Sequence, residues 1–153
     1  MRRSKRSRKS YAEDKKLVYD LLGLHVHDAP GNGSNCGFMA LGRGMKMDPD
    51  AVKSLIVDHT TDISRVAQLH TSTVWLDSND MVALSKSGVS ILCVQVTKNV
   101  ITSQADLIAT LYSGGKEVAI HFSERIKEVL RQEPNAIVIM NVFRTHFMAI
   151  DRM

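Results

Sequence analysis

Gly33-Ser34-Asn35-Cys36-Gly37-Phe38-Met39-Ala40-Leu41 is the stretch on which the reading of this chain turns. Upstream of it, Leu24 to Asn35 holds His25, His27, Asp28, Pro30, Gly31, Gly33 and Ser34, a density of turn-formers that predicts a loop rather than a helix or strand interior. Downstream, Phe38 to Leu41 is short and apolar, and Gly42 and Gly44 are expected to break the pattern. Cys36 therefore falls where a loop meets the start of a short buried helix. The exposed amides and dipole of a helix start favour thiolate over thiol, which makes such a cysteine a candidate nucleophile. The Gly33-Ser34-Asn35 loop would let backbone amides approach a substrate carbonyl closely, as an oxyanion hole requires. The ordinary alternative is a cysteine that acts as a small buried hydrophobe, and this is the reading of Cys93, set in an apolar strand.

Working outward, Tyr11 to Leu22 places Leu17, Val18, Leu21 and Leu22 at helical spacing, with Gly23 as its stop. Asp48-Pro49 opens a helix carrying Val52, Leu55 and Ile56, and a further turn covers Asp62 to Leu69. Ser78 is expected to cap a helix through Met81, Val82 and Leu84, which Gly88 ends before the strand Val89 to Val96. Ser103 to Tyr112 reads as a short helix, Glu117 to Phe122 as a strand and Ser123 to Arg131 as a helix capped by Ser123. Ala136 to Val142 and Thr145 to Ile150 form a terminal hairpin joined at Phe143-Arg144, with His146 on its last strand.

With 153 residues, 44% of them apolar and 24% charged, the chain is sized and composed for one core. Its net charge of +4 misleads, because six of the 20 basic residues lie among the first ten positions. The remaining 14 face 16 acidic residues, so the body is not a nucleic-acid binder by charge. Residues 1–10 are expected to be a basic, flexible arm, with nucleic-acid contact as its functional alternative, and 11–153 a single domain. Two cysteines are too few for a disulfide framework and suit a reducing compartment, cytosol or nucleus. No apolar run is long enough to span a membrane, and no signal-peptide pattern follows the basic start.

Six histidines, His25, His27, His59, His70, His121 and His146, compete for the role of base to Cys36, and spacing alone does not choose among them. His25 and His27 with Cys36 make three members of a conceivable metal cluster, but a fourth ligand is missing. No metal or cofactor is required.

Asn35-Cys36 followed by Phe38 and an apolar helix resembles the nucleophile motif of the ovarian-tumour (OTU) family of cysteine proteases, or deubiquitinases. Val74-Trp75-Leu76-Asp77-Ser78-Asn79-Asp80-Met81-Val82-Ala83-Leu84 is similar to the family's Trp-centred turn, and Thr145-His146-Phe147-Met148-Ala149-Ile150 to its closing strand, where an aromatic follows the catalytic histidine. The three blocks stand in the family's order and span nearly the whole chain after the arm. The resemblance implies an α+β, OTU-like cysteine protease fold with a small mixed sheet, flanking helices and the nucleophile at a helix N-terminus. It implies that Cys36 attacks the carbonyl at the C-terminus of ubiquitin or a ubiquitin-like protein, with His146 as general base. Two positions depart from the pattern: Gly33 replaces the motif aspartate, and Met148 replaces the acid or amide two residues after the histidine. Asp151 and Asp28 are the candidates for the third member, unless the site works as a dyad. A catalytically inactive OTU-like binding or structural module, with the basic arm contacting nucleic acid, is the alternative.

Overall fold

The structure, a computed structural model, describes residues 2–27, 35–71, 74–142 and 146–152, with 2–10 and 71 as backbone only. The β-branched, apolar runs of the second half of the chain pair into one sheet. In chain order its strands are β1 (His25–His27), β2 (Ile91–Lys98), β3 (Ala105–Ser113), β4 (Lys116–His121), β5 (Ile137–Val142) and β6 (His146–Asp151). Across the sheet they lie in the order β1-β6-β5-β2-β3-β4. Among the described residues only β2 and β5 run parallel; every other neighbouring pair is antiparallel. The helices are α1 (Arg2–Leu22), α2 (Cys36–Met45), α3 (Pro49–Asp58), α4 (Ile63–Thr71), α5 (Ser78–Ser85) and α6 (Ser123–Gln132). The parallel step from β2 to β5 needs a crossover, and α6 supplies it after the β3–β4 hairpin.

Because side chains alternate across a strand, the sheet has two apolar faces and a separate core on each. One core joins Phe38, Leu41, Val52, Ile56, Leu69 and Leu84 of α2 to α5 to Ile91, Cys93, Tyr112, Ile139, Phe147 and Ala149. The other joins Val18 of α1 and Ile126, Val129 and Leu130 of α6 to Leu92, Val94, Leu107, Val138, Met140, Met148 and Ile150. The result is a mixed α+β fold with a helix layer on either side of a small mixed sheet, the class expected from the sequence. Among the described residues no helix is long and apolar enough to cross a membrane.

Several elements differ from the sequence reading, each for a nameable reason. Residues 103–112 are not a helix: β3 takes them from Ala105 on, paired antiparallel along the whole of β2 from Ile91↔Tyr112 to Lys98↔Ala105. His25-Val26-His27, read as loop, is a three-residue edge strand held by the register Val26↔Ile150. The α1 backbone extends through the basic segment to Arg2. Asp77 rather than Ser78 caps α5, in a reciprocal capping box with Asp80, and Phe122 precedes α6 in place of Ser123.

Nor do Gly42 and Gly44 end α2, which runs through both to Met45. They serve close packing instead. A Cβ at Gly42 would lie 2.5 Å from the Met47 carbonyl oxygen, and one at Gly44 2.5 Å from Ile137 Cγ2. The glycines let α2 lie flat against its own exit turn and against β5.

Candidate active site

Cys36 is the first residue of α2, with Asn35 at the N-cap position. Its thiol lies against β6. The edge strand ends at His27, opposite Ala149. Two residues back along β6, past that end, the backbone N–H of Phe147 donates to Cys36 Sγ at 3.3 Å. The nitrogen that donates is the one joined to the His146 carbonyl, so the peptide unit linking His146 to Phe147 lies against the sulfur. Residues 111 positions apart in sequence are thus brought together. The sulfur thus sits at a helix start and accepts a backbone hydrogen bond. Cys36 is only 3% exposed.

Close packing behind Cys36 fixes the start of α2. A Cβ at Gly37 would fall 2.6 Å from Leu76 Cβ and 3.0 Å from Phe147 Cδ2, so only glycine allows the helix this near to both. Leu76 in turn belongs to a turn held from outside by Arg65. Its guanidinium donates Nε–H to Asp80 Oδ1 at 2.9 Å, a second N–H to Asp80 Oδ2, and one to the Trp75 carbonyl at 2.8 Å. Asp80 is 1% exposed and also accepts the N–H of Asp77 at 3.0 Å. The bond to Asp80 is the main cause that raises the Arg65 pKa. The Trp-centred turn is thereby a rigid backing for the cysteine helix.

His146 opens β6 and pairs with Val142. By strand alternation it shares a face with Met148 and Ile150, the side covered by α1. There its ring stacks on Tyr11, with centroids 4.9 Å apart and planes 21° from parallel.

The third-member candidates fare differently. Asp151 lies five residues along β6, about 16 Å at strand rise, and on the other face. Its carboxylate is gripped by Arg43 of α2, Nε to Oδ1 at 3.0 Å and Nη2 to Oδ2 at 3.2 Å. That bond is the main cause holding the Asp151 carboxyl below its usual range. Asp151 is therefore not placed to orient the His146 ring. Met148, at the position where the resemblance would have an acid or amide, is fully buried and apolar. Asp28, Gly33 and Ser34 lie outside the described residues, as do Phe143 and Arg144. Asn35 is described, and its side chain makes no capping bond.

Cys93 faces the same core as Cys36 from the middle of β2, and burial pushes its thiol up to about 12, unsuited to nucleophilic work at neutral pH. Among the described residues no group of three or more His, Cys, Asp or Glu side chains is arranged to hold a metal ion.

Sequence reasoning missed Tyr11, Arg43 and the Phe147 N–H. Tyr11 had a readable signal: seven residues before Val18, it shares the face of α1 that is buried. The other two depend on which elements become neighbours, and carry no local signature.

The sequence matches no protein-family model and no curated protein. Among solved structures, it is similar to an OTU deubiquitinase from Wolbachia pipientis wMel, crystallised bound to ubiquitin. The TM-score is 0.65 at 13% identity, over 84% of this chain and 95% of that one. At that identity the likeness is one of architecture, and the chain carries the fold of an OTU deubiquitinase.

Proposed function

We propose that the chain is a thiol-dependent isopeptidase that removes ubiquitin or a ubiquitin-like modifier, with Cys36 as nucleophile and His146 as general base. The observation that carries this reading is the Phe147 N–H bonded to Cys36 Sγ at a helix start, in a fold shared with a ubiquitin-bound deubiquitinase. His146 takes the thiol proton as sulfur attacks the carbonyl carbon of the modifier's C-terminal glycine. The oxyanion is taken up by the backbone amides at the start of α2, at Asn35 and Cys36. Collapse breaks the C–N bond, the imidazolium gives its proton to the departing lysine amine, and a thioester remains. Water, deprotonated by His146, then attacks the thioester and returns the thiol. The Phe147 N–H supports the thiolate at both stages.

A second reading has a specific observation behind it. Neither acid-position residue of β6 serves His146, since Met148 is apolar and Asp151 is held by Arg43. A non-catalytic module of the same fold, with residues 1–10 contacting nucleic acid, would tolerate both. Isopeptide-linked ubiquitin dimers separate the two. The enzyme releases free ubiquitin, and Cys36→Ala and His146→Ala each abolish the release. Binding of the dimers without cleavage by the wild-type chain establishes the module and ends the proposal.

A further inference from the structure

On the assignment of Cys36 and His146 proposed above, we infer that Tyr11 is the positioning residue for the His146 imidazole, fixing the plane of the ring by stacking. A base that must meet a sulfur cannot be left to rotate about its own χ angles, because an error of about 1 Å in a reacting group costs on the order of 100-fold in rate. The strand positions around His146 on its own face are Val142 opposite and Met148 and Ile150 further along, all buried and apolar. None of these aliphatic or thioether side chains has a flat face that could set the plane of the ring. Tyr11 does define it. With ring centroids 4.9 Å apart and planes within 21°, a turn of the imidazole about χ2 would drive its edge into the phenol face. This constraint holds whichever groups the imidazole nitrogens meet.

Tyr11 is itself anchored. It lies on the face of α1 that carries Val18, which is fully buried, and it packs on the rim of the core formed with α6 and the sheet. The first helix therefore holds the base from the face of the sheet that it covers, while α2, in the layer on the other face, holds the nucleophile. The aromatic face of Tyr11 also favours the positively charged imidazolium formed once sulfur has lost its proton.

The test uses the full chain carrying Tyr11→Phe, Tyr11→Leu or Tyr11→Met, beside His146→Ala. The first readout is turnover of ubiquitin bearing a fluorogenic C-terminal amide. Leu and Met lower kcat by about 10- to 100-fold with KM within about twofold, and Phe restores most of kcat because the ring face is kept. The second readout needs no ubiquitin: alkylation of Cys36 by iodoacetamide, mapped by mass spectrometry, slows in His146→Ala, Leu and Met alike and recovers in Phe. Turnover and alkylation unchanged in both aliphatic variants overturn the inference while leaving the proposed activity intact. So does a Phe variant as impaired as Leu, since the hydroxyl would then be the acting group. Absent turnover with the alkylation pattern preserved removes the ubiquitin reading alone, whereas alkylation indifferent to His146→Ala removes the base and its positioning together.

Discussion

Asp80→Ala tests whether the turn behind the nucleophile is rigid for the reason given. The carboxylate is 1% exposed and accepts two bonds from Arg65 and one from the Asp77 N–H. Removing it takes the nearest carboxylate from a guanidinium whose side chain is only 15% exposed, leaving it Asp77 at 3.7 Å and the Trp75 carbonyl, and uncouples one half of the α5 capping box. A broken buried ion pair costs about 3–5 kcal/mol, and a lost cap about 1 kcal/mol of that. Against a total stability of about 5–15 kcal/mol this is a large fraction. Urea denaturation followed by tryptophan fluorescence reads it through Trp75, with the slope of free energy against denaturant unchanged. Arg65→Met should be costly for the complementary reason, and the double variant should fall short of the sum by about 2 kcal/mol or more. Because Leu76 of the same turn packs against Gly37, turnover should fall along with stability. A loss under about 1 kcal/mol for Asp80→Ala, or additive single variants, would refute the account of this network.

Three further outcomes follow from single contacts. Gly37→Ala places a methyl 2.6 Å from Leu76 Cβ, so overpacking of about 1–3 kcal/mol should outweigh the gain of roughly 1 kcal/mol in helix propensity; an unchanged or raised melting temperature would contradict it. Cys93 keeps its proton in the folded chain up to about 12 but loses it near its ordinary value when unfolded. Its contribution therefore makes stability fall as pH rises between about 9 and 12, by up to about 1.4 kcal/mol per pH unit. Cys93→Ala should flatten that limb in pH-dependent denaturation, and an identical slope would rule the cause out. Asp151→Asn removes a half-exposed pair with Arg43 and should leave kcat within about twofold, whereas a collapse of kcat would restore Asp151 to the catalytic set.

What the sequence made legible was local. The change from turn-formers to apolar residues at Cys36 announces a helix start, and the β-branched runs at 89–96 and 136–150 announce strands, because both signals lie within a few residues. Residues 103–112 misled for the same reason. Ser103 three before Asp106, with Leu107, Ile108, Leu111 and Tyr112 at helical spacing, imitates a capped helix, and only the pairing with β2 decides otherwise. The glycines of α2 look like breakers until Met47 and Ile137 are seen to need the space. His25 to His27 is too short to declare itself without β6 beside it. The candidate site divides likewise. Cys36 and His146 carry motif resemblance, while Arg43 on Asp151 and Tyr11 on His146 arise from helices meeting strands more than 100 residues away.

The central claim is that sulfur at the head of α2 and the histidine at the head of β6 form one reactive pair aimed at a modifier's C-terminus. Incubating the chain with ubiquitin carrying an electrophile in place of its terminal carboxylate, then mapping the product by mass spectrometry, tests it most directly. The account predicts a single adduct on Cys36, absent in Cys36→Ala and strongly slowed in His146→Ala. An adduct on Cys93, or none on Cys36 in the folded wild-type chain across ubiquitin and ubiquitin-like probes, would contradict it.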